Sequence, residues 1–298
     1  MQDIKLHRAN RLRTIHSSLS IEGNSLTLGE VTDVIAGKIV AGRQADVTEV
    51  KNAYEAYDKM MTFNPYRLSD FLKAHGLMVG GLLKEAGRFR SGDVGVFDGD
   101  VPVHIGARPQ FVPELMRALF DWAKASDLHP ILKSAVLHYE IETIHPFADG
   151  NGRMGRLWQT LLLAKWNLVF AWLPMEAVLY ENRRHYYAAI EAARKVNDSG
   201  IFIEFTLLAI LEILQKTKRD LLATAQVTAQ VPAQVNREEQ ILSFCREPKT
   251  RAEIQAFTGI AHREYFRSHI LKPLLKAGKL KLTLPEKPNS RNQKYVRA

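Results

Sequence analysis

His145-Pro146-Phe147-Ala148-Asp149-Gly150-Asn151-Gly152-Arg153-Met154-Gly155-Arg156 decides how this chain is read, because no other segment gathers so many chemically capable groups in so little backbone. Its glycines and Asn151 free the backbone to turn several N–H groups toward one point. The run that follows, Leu157, Leu161, Leu162 and Leu163, predicts a helix starting near Gly152. A helix opening from such a turn is an anion cradle: unpaired N–H donors and the positive end of the macrodipole face the same place. Arg153 and Arg156 stand three apart, so both lie on one face of the first turn and offer planar forks to successive phosphates. Asp149 is a hard oxygen ligand suited to Mg²⁺ on those phosphates. His145 is a base that titrates near neutral pH, and Pro146 stiffens the residue beside it. Singly, the glycines suit a plain turn and the arginines a solvated helix face. Together the groups describe phosphoryl or nucleotidyl transfer.

Outward from this loop, 298 residues are enough for one large domain or two modest ones, and 46% hydrophobic residues make an ordinary globular composition. The single Cys245 excludes an internal disulfide and any cysteine-based metal cluster, which suits a reducing cytoplasm. No apolar run of signal-peptide length follows Met1, and the windows Leu157 to Val169 and Ile201 to Leu214 are interrupted by Lys165, Glu204 and Glu212. The expectation is a cytoplasmic protein without a membrane partner.

Charge divides the chain. Residues 236–298 carry fourteen Lys/Arg against six Asp/Glu, while residues 1–235 carry 27 against 26, so nearly all of the +9 belongs to the carboxy-terminal fifth. That asymmetry predicts a separate basic module with an anionic partner, nucleic acid first. The repeating Ala225-Gln226-Val227-Thr228-Ala229-Gln230-Val231-Pro232-Ala233-Gln234-Val235 is low in complexity and interrupted by Pro232, so residues 223–235 read as a linker.

Apolar spacing predicts helices at about 3–20, 27–39, 46–62, 68–83, 112–125, 130–143, 181–197 and 201–219. Between the fourth and fifth, Val94 to Ile105 alternates around Asp98-Gly99-Asp100 and reads as a β-hairpin, about 94–106. The tail reads as helices at 237–246, 251–258 and 262–277, followed by a basic hairpin from Lys279 to Val296.

The loop resembles the signature of the Fic (filamentation induced by cAMP) family, His-Pro-Phe-x-(Asp/Glu)-Gly-Asn-Gly-Arg-x-x-Arg, at every specified position. The fold this resemblance implies is mainly α: a Fic-type helical bundle with a β-hairpin flap over residues 1–222, then a small winged helix-turn-helix module over 236–298. The activity implied is that of a protein adenylyltransferase moving AMP from ATP, with Mg²⁺, to a Ser, Thr or Tyr hydroxyl of a target protein. His145 would be the catalytic base and Asp149 the metal ligand; Gly150, Asn151, Gly152, Arg153 and Arg156 would bind the nucleotide phosphates.

Ser18-x-x-x-Glu22-Gly23 resembles the family's inhibitory motif, in which the Glu pairs with the second Arg of the signature, here Arg156. A carboxylate there occupies donors that the γ-phosphate needs. Val101-Pro102-Val103-His104-Ile105-Gly106 resembles the flap that pairs with the backbone of the protein substrate, which assigns target docking to Val101, Val103, His104 and Ile105. Tyr187 matches a tyrosine beside the adenine, whereas the later position where relatives carry Asn is Arg194, a departure that bears on the base contacts. His262, Arg263, Arg267 and His269 on the third tail helix, with Arg291 and Lys294 on its hairpin, suit phosphate contacts, so the tail partner is DNA or a protein. A homodimer is compatible with this reading. The alternatives are a de-adenylylating enzyme, a transferase of another phosphate-bearing group, and a DNA-binding regulator whose Fic-like part senses nucleotide.

Overall fold

The structure, a computed structural model, describes residues 2–98, 101–229, 232–258, 266–287, 290 and 292–298. It divides into two units, Met1–Thr217 and Lys218–Ala298. In the first, α1 (Gln2–Ile21) is followed by α2 (Leu28–Ile35), α3 (Gln44–Lys59) and α4 (Leu68–Met78). A capping box starts α2: the Thr27 hydroxyl accepts from the Glu30 N–H while the Glu30 carboxylate accepts from the Thr27 N–H. Strands β1 (Gly95–Asp98) and β2 (Val101–Ile105) pair antiparallel, with a register shift between Val96 and Phe97. Gly99 and Asp100, read as the turn, lie outside the described residues, as do the side chains of Val101, Val103, His104 and Ile105.

Helices α5 (Val112–Ala125) and α6 (Pro130–Ile144) each carry a proline in the first turn, where its missing N–H costs nothing. Helix α7 (Asn151–Trp166) is buried from Asn151 through Ala164, on every side, which makes it the centre of the unit. Gly155 lets α6 close on it, since a Cβ there would meet the His138 ring at 2.6 Å. The helix read over 181–197 is α9 (Arg183–Val196), and a further short helix, α8 (Met175–Glu181), precedes it, parted from it at Asn182.

Helix α10 (Gly200–Ala229) runs into the segment read as a linker. Residues 223–229 continue α10, and 232–235 open α11 (Pro232–Phe244). Alanine and glutamine are strong helix formers, and Pro232 stands at the first position of a new helix, where it is tolerated. In the second unit, α11 is followed by β3 (Lys249–Thr250), α12 (Arg251–Thr258), a π-turn at Arg267–Leu271, α13 (Lys272–Lys276), β4 (Leu280–Leu282) and β5 (Lys294–Arg297). The strands form an antiparallel sheet in the order β3-β5-β4. Ile241, Cys245, Ile254, Phe266, Leu271, Leu274, Leu280 and Tyr295 make its core. Thr250 caps α12 as read, through a second capping box with Glu253. Arg267 and Lys294 are exposed; His262, Arg263 and Arg291, and the side chain of His269, lie outside the described residues.

The first unit's core converges on Trp158 of α7, whose ring meets Phe71 at 5.1 Å, Phe120 at 6.1 Å and Phe63 at 6.2 Å. Its indole N–H donates to the Pro65 carbonyl at 2.9 Å. Trp158→Ala therefore removes about 3–5 kcal/mol from the stability of this unit, read as a lowered urea midpoint, whereas Trp166→Ala, at a 45% exposed position on the same helix, leaves the midpoint nearly unchanged.

Candidate active site

The signature loop joins the carboxy end of α6 to the amino end of α7. His145 is the C-cap of α6, in left-handed backbone at φ 54 and ψ 62, with its N–H donating to Ile141 O at 3.0 Å. Side chains with a Cβ rarely accept this conformation, and where they do the surrounding structure holds them in it. Phe147 is fully buried among Phe71, Phe89 and His75, the last stacked on it at 3.5 Å. Asn151 clamps the turn: its Oδ1 accepts from Phe147 N at 2.9 Å and its Nδ2 donates to Phe147 O at 2.8 Å. The Asn151 side chain thus shapes the loop. Gly150 caps α7 at φ 86, where a Cβ would also press on Val79 at 3.0 Å.

Both signature arginines are buried and both meet carboxylates. Arg156 donates from Nε to Ser18 Oγ at 3.1 Å, from Nη2 to Ser18 O at 3.0 Å, and from Nη2 to Glu22 Oε1 at 2.7 Å. Its Nη1 is buried without a partner. Tyr187 donates its hydroxyl to Ile21 O at 3.2 Å, one residue before Glu22. Glu22 and Ser18, 134 and 138 residues away in sequence, are brought to the first turn of α7. The Glu22 carboxylate lies so close to Gly152 that a Cβ there would overlap Oε1. Arg153 bridges two acids, Asp149 at 2.8 Å and Glu49 at 3.2 Å, and Asn24 donates to the other Glu49 oxygen at 2.8 Å. Asp149 keeps its side chain 58% exposed.

Burial pushes the His145 pKa down, against the pull of the Glu142 carboxylate; Arg194 and Arg90 add to the lowering. The ring is therefore neutral and basic near pH 7. The Nδ1 of His145 lies 3.4 Å from Glu142 O, an acceptor only, so Nδ1 carries the hydrogen and Nε2 is the basic nitrogen. Burial of Glu142 itself would raise its pKa, but the hydrogen bond and charge of His138, with Arg156 and His145, bring it down to about 2. Burial likewise opposes the charge on Arg156, and Glu22 outweighs it, so this guanidinium stays protonated.

Arg90, outside the sequence reading, ties the hairpin to the loop. It donates to His145 O at 2.7 Å, to Gly92 O at 2.8 Å and to Ala107 O, so one guanidinium holds the loop and both legs of the hairpin. His75, Glu49 and Glu142 were also missed. Glu142 and His138 left a signal, two polar residues four apart on a core face of α6; a fully solvated partner would have looked the same. Arg194, the departure from the family pattern, donates to Glu142 O at 2.5 Å, beside the catalytic histidine candidate.

Fold and site together define a helical domain built around an anion cradle with a neutral histidine at its edge. Residues 65–163 match the Fic/DOC family, and residues 234–297 match the Filamentation induced by cAMP protein Fic-like, C-terminal domain. A crystal structure of a Fic family protein from Desulfovibrio desulfuricans G20 is 39% identical and superposes with a TM-score of 0.72, covering 99% of this chain and 88% of that one. The chain belongs to the Fic family. Protein adenylyltransferase Fic of Nematostella vectensis is 31% identical over 202 residues, 64% of this chain and 45% of that protein. Protein adenylyltransferase fic-1 of Caenorhabditis elegans is 26% identical over 257 residues, 78% of this chain and 47% of that protein. The chain spans less than half the length of these curated relatives.

His75 supports the loop only when neutral: Nδ1 accepts from Gly87 N at 3.0 Å while Nε2 faces Asp149 O at 3.1 Å. Burial lowers its pKa to about 4 from an ordinary 6.5. The unfolded chain thus binds a proton at higher pH than the folded one. The contribution of His75 is complete above about 6.5 and is lost as pH falls toward 4, on the order of 3 kcal/mol. Urea midpoints compared at neutral and acid pH should fall more steeply for the parent protein than for His75→Gln.

Proposed function

We propose that this chain is a protein adenylyltransferase held in check by its own Glu22. The observation that carries the reading is a carboxylate standing in the anion cradle: Glu22 sits on Arg156 and against Gly152, at the amino end of α7. Arg156 Nη1 and Arg153 Nε, buried without partners, fit an anionic ligand with more acceptor oxygens than one carboxylate supplies. The adenylyltransferase names of the curated relatives support the same reading.

The substrate is ATP. The N–H groups at Gly150 to Gly152 and the Arg153 guanidinium take its phosphates, and Arg156 takes the γ-phosphate once Glu22 moves aside. Tyr187, which reaches from α9 to the end of α1, lines the nucleotide side. His145 Nε2 accepts the proton of a target Ser, Thr or Tyr hydroxyl as its oxygen bonds to the α-phosphorus. The bond from that phosphorus to the bridging oxygen breaks, and pyrophosphate leaves. Among the described residues no cluster of three or more His, Cys, Asp or Glu forms a self-sufficient metal site. The exposed Asp149 carboxylate suits Mg²⁺ shared with substrate phosphates, and such an ion supplies charge neutralisation when bound.

The β1–β2 hairpin is the docking edge for a protein substrate through Val101, Val103, His104 and Ile105. The second unit, with its basic excess, suits DNA or an acidic protein surface.

The test is label transfer from ATP tagged at the α-phosphate, with Mg²⁺. The unaltered protein should label weakly, Glu22→Gly at least tenfold more strongly, and Glu22→Gly combined with His145→Ala not at all. Absence of label from all three, with ATP still bound, overturns the transferase reading.

A further inference from the structure

The base sits at an electrostatically unfavourable place for staying neutral. His145 caps the carboxy end of α6, where the macrodipole and the unpaired carbonyls of the last turn favour a cation. Glu142, three residues before it, adds a buried carboxylate. Both influences act to protonate the imidazole and so remove the base.

Arg194 meets this problem from another helix. It lies in the last turn of α9, and its Nη2 donates to Glu142 O at 2.5 Å. That carbonyl is the same one that faces His145 Nδ1 at 3.4 Å. One oxygen with two lone pairs therefore serves both groups, and the guanidinium caps an end-of-helix carbonyl that the helix itself leaves unbonded. Arg194 Nε is buried without a partner, so this side chain is committed to the α6 terminus by a single strong contact.

Resting on the transferase reading of the same site, we propose that Arg194 is a positioning residue: its guanidinium caps α6, fixes the carbonyl that orients the His145 ring, and keeps Nε2 the basic nitrogen. Among the charged groups that act on His145 are Glu142 on α6, Arg194 on α9 and Arg90 before the hairpin. Arg194 and Arg90 both push its pKa down, against Glu142. Arg90 also carries the hairpin, so its removal would change several things at once; Arg194 makes no such second contact among the hydrogen bonds described. The side chain thus works on the base without touching the reacting atoms.

The experiment is a ¹⁵N NMR titration of the imidazoles in the full chain, with His145 assigned by its absence from His145→Ala. The unaltered protein should show the tautomer with hydrogen on Nδ1. In Arg194→Gln the midpoint should rise by on the order of one pH unit, a tenfold change in the protonation equilibrium. Arg194→Lys, which keeps the charge, should stay near the parent value. In the Glu22→Gly background, the acid limb of the label-transfer profile should move with the midpoint, lowering kcat more than changing KM. An unmoved His145 midpoint in Arg194→Gln overturns the proposal, even where stability falls, because it leaves Arg194 as mere packing between α6 and α9. Hydrogen on Nε2 in the unaltered protein overturns it without any variant. A protein that never transfers label fails the transferase reading alone, since the imidazole titration still decides the role of Arg194.

Discussion

A guanidinium with 1% of its surface exposed has to be compensated, and the compensation of Arg156 organises the first unit. Its charge is met by the Glu22 carboxylate, and two more donors go to the hydroxyl and carbonyl of Ser18. These groups lie on or just beyond the last turns of α1, so the buried charge of α7 brings the end of α1 to the mouth of the loop. The Glu22 side chain stays 31% exposed while the guanidinium is buried, so desolvation of Arg156 offsets much of the attraction and the pair is a poor source of net stability. Its value is in location: it places an acid against the amino end of α7.

The loop between α6 and α7 joins two helix ends of opposite polarity. The carboxy end of α6 presents carbonyls and holds His145, whereas the amino end of α7 presents N–H groups and holds the arginines. A base and an anion cradle are thereby set side by side by four residues of chain. Each end still needs correction. At α7 the internal acids Glu22 and Glu49 occupy the arginines; at α6 the guanidiniums of Arg90 and Arg194 take the carbonyls of His145 and Glu142. Asn151 and His75 then keep the backbone between the two ends in one shape.

Particular elements explain how far the chain could be read directly. Helices such as α5 and α7 were legible because apolar residues recur at helical spacing and, for α7, follow a glycine-rich turn. The hairpin was legible from alternation broken by glycine. The helical conformation of the Ala-Gln-Val segment was not legible, since low complexity removed the periodic signal while the intrinsic helix preference of alanine and glutamine remained. Within the site, the clamp of the Asn151 amide on Phe147 was hidden, because the sequence does not show which backbone groups a side chain will meet.

By itself the sequence determined the family and the helical class, and it singled out one loop with His145, Asp149, Arg153 and Arg156, together with Glu22, as the candidate site. These are local or pattern-borne properties: the loop's residues are contiguous, and helix periodicity needs only neighbouring positions. Tertiary structure alone decided that Glu49 faces Arg153, that His75 stacks beneath Phe147, and that Arg90 and Arg194 reach the end of α6. Those contacts join residues 52 to 104 positions apart or stack a ring of α4 on a ring of the loop. A charged or aromatic residue carries no mark of its partner until packing has closed the distance and excluded water from between them.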